Sequence, residues 1–348
     1  MDNRNISTGS VTRVTQGLAS RHRWHPLEFL FWLAALASFF LLPGSYNFLN
    51  EVAILALFAL SLDLILGYAG IVSLGHAAFL GFAAYSAGLF AKHVHPDPLV
   101  GLAVATAATS VVGFVTSFLV LRGNELTRLM ITLGVTLIFF EIANQMGEIT
   151  GGADGLQGIE MAPLLGQWRF DMFGRTAYAY SLATLFVAFL VARRIANSSF
   201  GMSLCAIRDN PLRAAAIGIP VNRRLIAAYT IAAAFAGAAG ALQAQTAQFV
   251  GLDALSFEKS ADVMLVLIIG GAGWLYGGII GALVFKLLQD WLSWLTPQYW
   301  HFWVGLILLI IVLIGRDRIS QWNAVLLSPF RRLANSASPA AHASKAEG

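Results

Sequence analysis

The chain has 348 residues, of which 57% are hydrophobic and only 11% charged, and its mean hydropathy is +0.70. Soluble domains carry roughly 25% charged residues, so no water-soluble core could hide this apolar surface, and lipid must be the solvent for most of it. The net charge of +4 does not point to nucleic acid, because the arginines fall between apolar runs without aromatic–basic interleaving; the single cysteine, Cys205, excludes an internal disulfide and reads as a small apolar filler.

The N-terminal tail, residues 1–27, holds Arg4, Arg13, Arg21 and Arg23. The apolar run after it is too long for a signal peptide and ends without a small-residue cleavage site. Charge-poor runs then recur near the 20 residues needed to cross a bilayer. They cover residues 29–50, 52–66, 74–91, 98–121, 129–146, 176–192, 225–252, 263–285 and 291–315. The second and third are joined by 67–75, too short and uncharged for a loop. Gly270, Gly271, Gly273, Gly277 and Gly278 interrupt the eighth. The expected fold is an all-α integral membrane protein, a polytopic bundle of about ten transmembrane helices with Gly-broken segments near 67–75 and 270–278.

Arginine placement orients this membrane domain, residues 28–315. The tails, the loop at 122–128 and the loop at 193–224 are basic and fall on the cytoplasmic side, which requires an even number of crossings. The loop at 147–175 has mixed charge and falls outside. The C-terminal tail, 316–348, begins with Arg316 and Arg318 and ends in an Ala/Ser-rich, polar stretch expected to be disordered.

Broken helices in two halves of a membrane chain point to a transport pathway, since irregular backbone at membrane depth must line protein or water. Gly70, Ser73, Gly75, His76, Gly270, Gly271 and Gly273 are therefore the candidate pathway residues. Close helix packing is the competing explanation, supported by small-residue stripes such as Ala77, Gly81, Ala84, Gly88 and Ala91, or Ala233, Gly237 and Ala241. Asp63 and Glu141 stand in apolar surroundings and read either as a proton relay or as polar pairs within the bundle. His76 reads as a hydrogen-bonded bundle residue, with pathway contact as its alternative.

The cytoplasmic loop carries the densest signal. Arg193 and Arg194 precede it, Arg223 and Arg224 follow it, and Arg208 and Arg213 lie inside. Asn210 suits an N-cap, Pro211 the first helical position and Gly218 the position just past the end. A short helix over 211–217 is thus presented to a soluble partner. The candidate docking set is Arg208, Asp209, Asn210, Pro211, Arg213, Ala214, Ala215, Ala216 and Gly218. The chain contains no Gly-x-x-x-x-Gly-Lys-Ser/Thr phosphate loop, His-Glu-x-x-His metal motif or Gly-x-Ser-x-Gly elbow. No catalytic, cofactor-binding or metal-binding residue is assigned, and ATP hydrolysis is expected on another polypeptide.

Residues 67–85, Gly-Tyr-Ala-Gly-Ile-Val-Ser-Leu-Gly-His-Ala-Ala-Phe-Leu-Gly-Phe-Ala-Ala-Tyr, resemble a signature of permease subunits of branched-chain amino acid ABC importers. Arg-Leu-Met-Ile-Thr-Leu-Gly at 128–134 and Thr-Gly-Gly-Ala-Asp-Gly-Leu at 150–156 are similar to further landmarks of that family in the same order. The stretch 199–219 resembles its coupling segment, and 260–273 its late Gly-rich segment. The likeness spans about residues 30–315 and fits the longer, M-type subunit best. It implies a translocation path shared with a second permease subunit and fed by an extracytoplasmic solute-binding protein. Cytoplasmic ABC ATPase subunits would drive it, in a bacterial inner membrane. Asp63, where an Asn or another uncharged residue is expected, and Trp-Leu-Tyr at 274–276 depart from the pattern and leave the solute open among branched-chain amino acids, urea, amides and aromatic acids. A single-chain proton-coupled transporter and a non-transporting membrane scaffold are the competing functions.

Overall fold

A computed structural model describes residues 26–171, 173–295, 297–299, 302–306 and 309. The tails at 1–25 and 316–348, and part of the last apolar run at 291–315, lie outside them. Among the described residues the regular structure is helical. The element order is α1 Pro26–Leu41, α2 Tyr46–Asp63, α3 Ala77–His93, α4 Pro98–Val120, α5 Glu125–Gln145, α6 Arg175–Ala196, α7 Ser199–Asp209, α8 Pro211–Ala216, α9 Val221–Ala247, α10 Phe257–Gly270 and α11 Leu275–Leu295. Short helical turns fill part of the connections.

The run at 29–50 was expected as one span and is two helices. Pro43 has no N–H to give and Gly44 is a poor helix former, so α1 stops at Leu41 and α2 starts at Tyr46. The second helix then runs farther than its label, through a π turn at Leu64–Tyr68. Elsewhere the caps lie where local chemistry puts them. Asp97 Oδ1 accepts from the N–H groups of Leu99 (2.8 Å) and Val100 (3.2 Å) ahead of α4, with Pro98 in the first position. Asn124 accepts from Thr127 N–H at 2.9 Å to start α5.

Six of these helices are long and apolar enough to cross a membrane: α2 with its π turn, α4, α5, α6, α9 and α11. The helices α1, α3 and α10 have 16, 17 and 14 residues. At 1.5 Å per residue, α10 reaches about 21 Å, short of a hydrocarbon core of about 30 Å. The expected ten crossings take in these three shorter helices as well as the run at 291–315.

Residues up to 286 form one compact unit, and a second begins at 287, of which the last turns of α11 and short stretches near 302–306 are described. In the first unit α9 is central, lying along α4, α3 and α2, while α6 packs on α2. Its Ala/Gly-rich faces let backbones approach, since lipid gives no hydrophobic drive and tight van der Waals contact must hold the helices. Gly237 faces Thr106 and Thr109 of α4, and Gly240 faces Leu80 and Ala83 of α3. Two buried polar clusters add specific bonds. Asn50 accepts from Ser181 Oγ (2.6 Å) and donates to Thr246 Oγ1 (3.1 Å), joining α2, α6 and α9. Gln245 donates to the carbonyl of Pro98 (2.8 Å) and accepts from Tyr180 (3.1 Å).

Candidate functional site

The first break begins where α2 ends. After the π turn the chain is irregular over 69–76 until α3 starts. Polar groups from distant helices hold it. Leu74 N–H donates to Thr132 Oγ1 of α5 at 3.3 Å, and Ala77 N–H donates to Ser260 Oγ of α10 at 2.9 Å. Gly75 packs against the Thr132 carbonyl, with no room for a side chain. His76 is fully buried and shares a hydrogen bond of 2.7 Å with Ser61 Oγ, its ring stacked on Phe58 and edge-on to Phe79. This is the hydrogen-bonded bundle residue expected. His76 Nδ1 and Ser73 Oγ are buried without a hydrogen-bond partner.

The second break is narrower than the glycines suggest. It covers 271–274; Gly277 and Gly278 are already helical in α11. Gly270 packs on Gly277 and Gly281, so its small size serves the tight α10–α11 crossing. Gly273 has φ +83°, a left-handed conformation that favours glycine. Its N–H donates to Asp63 Oδ1 at 2.6 Å. A Cβ on Gly67 would strike both Asp63 Oδ1 and the Gly273 backbone. The two breaks, about 200 residues apart in sequence, therefore touch at Asp63, Gly67 and Gly273.

The cytoplasmic segment closes on the same point. Ser198 Oγ caps α7, accepting from Phe200 and Gly201, and Asn210 Oδ1 caps α8, accepting from Arg213 N–H at 2.9 Å. Pro211 opens α8; beyond its end Gly218, with φ +88°, turns the chain and donates to the Ala215 carbonyl at 3.0 Å. One cluster packs Leu204 and Ile207 of α7 and Ala214 of α8 against Ala69 and Ile71 of the first break and Leu225 and Ala228 of α9. Arg208 Nη1 donates to the Gly67 carbonyl, and a side chain on Gly70 would meet Arg208 Cγ at 2.7 Å. Arg208 also pairs with exposed Asp209 at 3.4 Å.

The structure thus brings together Gly70, Gly273 and Arg208, with Asp63 and Gly67 between them. Gly75, His76 and Ser73 lie on the far side of the first break, and Gly271 bonds back to the Leu267 carbonyl at 2.8 Å as the end of α10. Ala214 is only 2% exposed and faces its own bundle, because α8 needs one apolar anchor to stay docked. The open face of α8 is made by Leu212 (82% exposed), Arg213, Ala215, Ala216 and Ile217 (76% exposed). Leu212 and Ile217 were not among the expected docking residues; their sign in the sequence was a large apolar side chain in a capped, basic loop. Glu141 is exposed on α5 and accepts from Gln145 at 2.6 Å, apart from Asp63 in both surroundings and partner. A groove of about 940 Å³ between α4, α6 and the 163–176 loop is lined by Leu99, Leu102, Trp168, Tyr180 and Val187, among others, and by none of the expected pathway residues.

The family described as the permease component of branched-chain amino acid transport systems matches residues 45–313. The permease protein LivM of the high-affinity branched-chain amino acid transport system of Salmonella typhimurium is 28% identical over 284 residues, covering 74% of this chain and 66% of that protein. The Escherichia coli K12 LivM protein is 26% identical over 279 residues with the same coverage. The ribose import permease protein RbsC of Escherichia coli K12 is 25% identical over 297 residues, 81% of this chain and 88% of that protein. The chain thus spans just under two thirds of the length of the LivM relatives. No solved structure matches it. The chain belongs to the branched-chain amino acid transport system permease family, as an all-α polytopic membrane protein.

Proposed function

We propose that this chain is the membrane-spanning permease subunit of an ATP-driven ABC importer in a bacterial inner membrane, with both termini cytoplasmic. Its solute is a branched-chain amino acid or a related small polar molecule. It forms the translocation path with a second permease subunit, receives solute from an extracytoplasmic binding protein, and engages cytoplasmic ATPase subunits through α8. The chain itself holds no cofactor; ATP is bound and hydrolysed by the partner.

The observation that carries this reading is α8. It is a capped helix of 6 residues whose one buried side chain, Ala214, anchors it on the first broken segment, while its open face presents two large apolar side chains. A short apolar ridge suits a groove on a soluble ATPase, and movement of that ridge bears on the break through the shared cluster. Alternating access then follows as a transition between two discrete packings of the breaks.

Asp63 and Glu141 have different partners and different exposure, which supports the ATP-driven reading over a proton relay. The decisive experiment is uptake of radiolabelled leucine into vesicles holding this chain with its second permease, ATPase and binding protein. ATP-dependent uptake is expected. Uptake by this chain alone, driven by a proton gradient, overturns the proposal.

A further inference from the structure

We infer that Arg208 is a positioning residue that latches both broken segments to the cytoplasmic helix α7. Three observations converge on its side chain. Nη1 donates to the carbonyl of Gly67 at the start of the first break. The same nitrogen lies 3.3 Å from where a side chain on Gly273 would begin, in the second break. The aliphatic stem covers Gly70 so closely that a Cβ there would meet Cγ at 2.7 Å. Gly273 is in turn held by Asp63, whose Oδ1 takes its N–H, and Gly67 packs against both so closely that a Cβ there would strike them.

The chemistry explains why an arginine stands here. The carbonyls left free by a helix break need donors, and inside the packed cluster of α7, α8 and the first break few are on offer. A cationic donor to a carbonyl is stronger than a neutral one, and the arginine fork is fixed in geometry. The stem is apolar enough to lie on Gly70 while the far edge of the head reaches Asp209 and water. One side chain thus touches both breaks and stands at the last turn of α7, next to the α8 cap at Asn210. A displacement of α8 cannot leave Arg208 in place, because Ile207 of the same turn and Ala214 belong to one packed cluster. Arg208 is therefore the polar link through which α7 holds the two breaks together; in its last step, the link from ATPase to α8, this assignment rests on the importer reading above.

The test uses the full chain in proteoliposomes, in a Cys205→Ser background with Ser73→Cys as reporter. Ser73 is 1% exposed and its hydroxyl has no partner, so cysteine replaces it with little disturbance. N-ethylmaleimide labelling of that cysteine is expected to accelerate about ten- to a hundredfold in Arg208→Ala, the size expected from losing one charge-assisted hydrogen bond. Arg208→Lys, which retains a cationic donor, should restore most of the protection. A cysteine at Ala233, fully buried at the α9–α4 contact, should stay unlabelled in every variant. Equal labelling at position 73 with and without Arg208 overturns the inference, as does parallel labelling at 233, which would mean general loosening. A second arm, in the assembled importer, reads ATP hydrolysis stimulated by leucine-loaded binding protein. Arg208→Ala should co-purify with the ATPase at the parental ratio but lose the stimulation, and loss of co-purification itself overturns the latch by making Arg208 a docking residue. If the parent chain binds no ATPase, the importer reading fails, and the labelling arm still decides the latch.

Discussion

Gly273 gives its backbone N–H to the carboxylate of Asp63 at 2.6 Å, across 210 positions of the chain. This bond makes one site from two helix breaks that sequence places at opposite ends of the membrane domain. Position 63 thus supplies an acceptor to an N–H that lies in the break between α10 and α11, outside the ladder of either helix.

Replacement at Asp63 should follow acceptor capacity. Asp63→Asn retains a carbonyl oxygen for the Gly273 N–H and is expected to unfold within a degree or so of the parent. Asp63→Ala leaves a buried donor unsatisfied, at a cost of about 1–3 kcal/mol. Thermal unfolding in detergent separates the two, and equal stability of all three proteins would show that the bond contributes nothing.

Gly67→Ala should damage the same site sterically. The added methyl meets Asp63 Oδ1 and the Gly273 backbone; the carboxylate can turn away only by giving up its bond to Gly273, and the backbone cannot turn at all. Overpacking of this kind costs typically about 1–3 kcal/mol, and leucine uptake should fall with it. Gly134→Ala is the matched control on α5, because nothing lies within 4 Å of its Cβ position; there a better helix former should leave stability unchanged or raise it by up to about 1 kcal/mol.

On α8, position decides the phenotype. Leu212→Glu, Ala215→Glu and Ile217→Glu alter the open face, and each should give normal expression and melting but weaker ATPase co-purification. Ala214→Glu forces a carboxylate into the cluster of Leu204, Ile207 and Leu225 and should lower stability by about 2 kcal/mol or more. Wild-type co-purification and uptake in all three open-face variants would remove α8 as the coupling element.

Topology is checked by labelling. A single cysteine at Asn210, in a Cys205→Ser background, should react with an impermeant maleimide only in inside-out vesicles, because the 193–224 loop carries Arg193, Arg194, Arg208, Arg213, Arg223 and Arg224. Reaction in intact cells would invert the orientation and place α8 out of reach of any cytoplasmic ATPase.

Composition alone determined that lipid is the solvent, because an 11% charged chain has too little polar surface to face water. Local chemistry determined the caps: Asn210, Pro211 and Gly218 bracket α8 because each serves a backbone group within a few residues. The glycines near 70 and 273 marked the breaks for the same reason. Span starts were legible where a cap opens a helix, at Asp97 and Asn124. They were misread at 29–50, where Pro43 and Gly44 divide two helices and α2 runs on through Glu51, and at 285–291, where α11 runs on through Lys286 and Asp290. Only the tertiary structure decided which breaks meet, that Asp63 serves Gly273 and not Glu141, and that Ala214 turns inward while Leu212 and Ile217 turn out. These depend on which helices lie side by side. In a bundle of uniformly apolar helices, periodicity gives little clue to that arrangement; it is set by close contacts of small residues and by a few polar bonds between residues far apart in the chain.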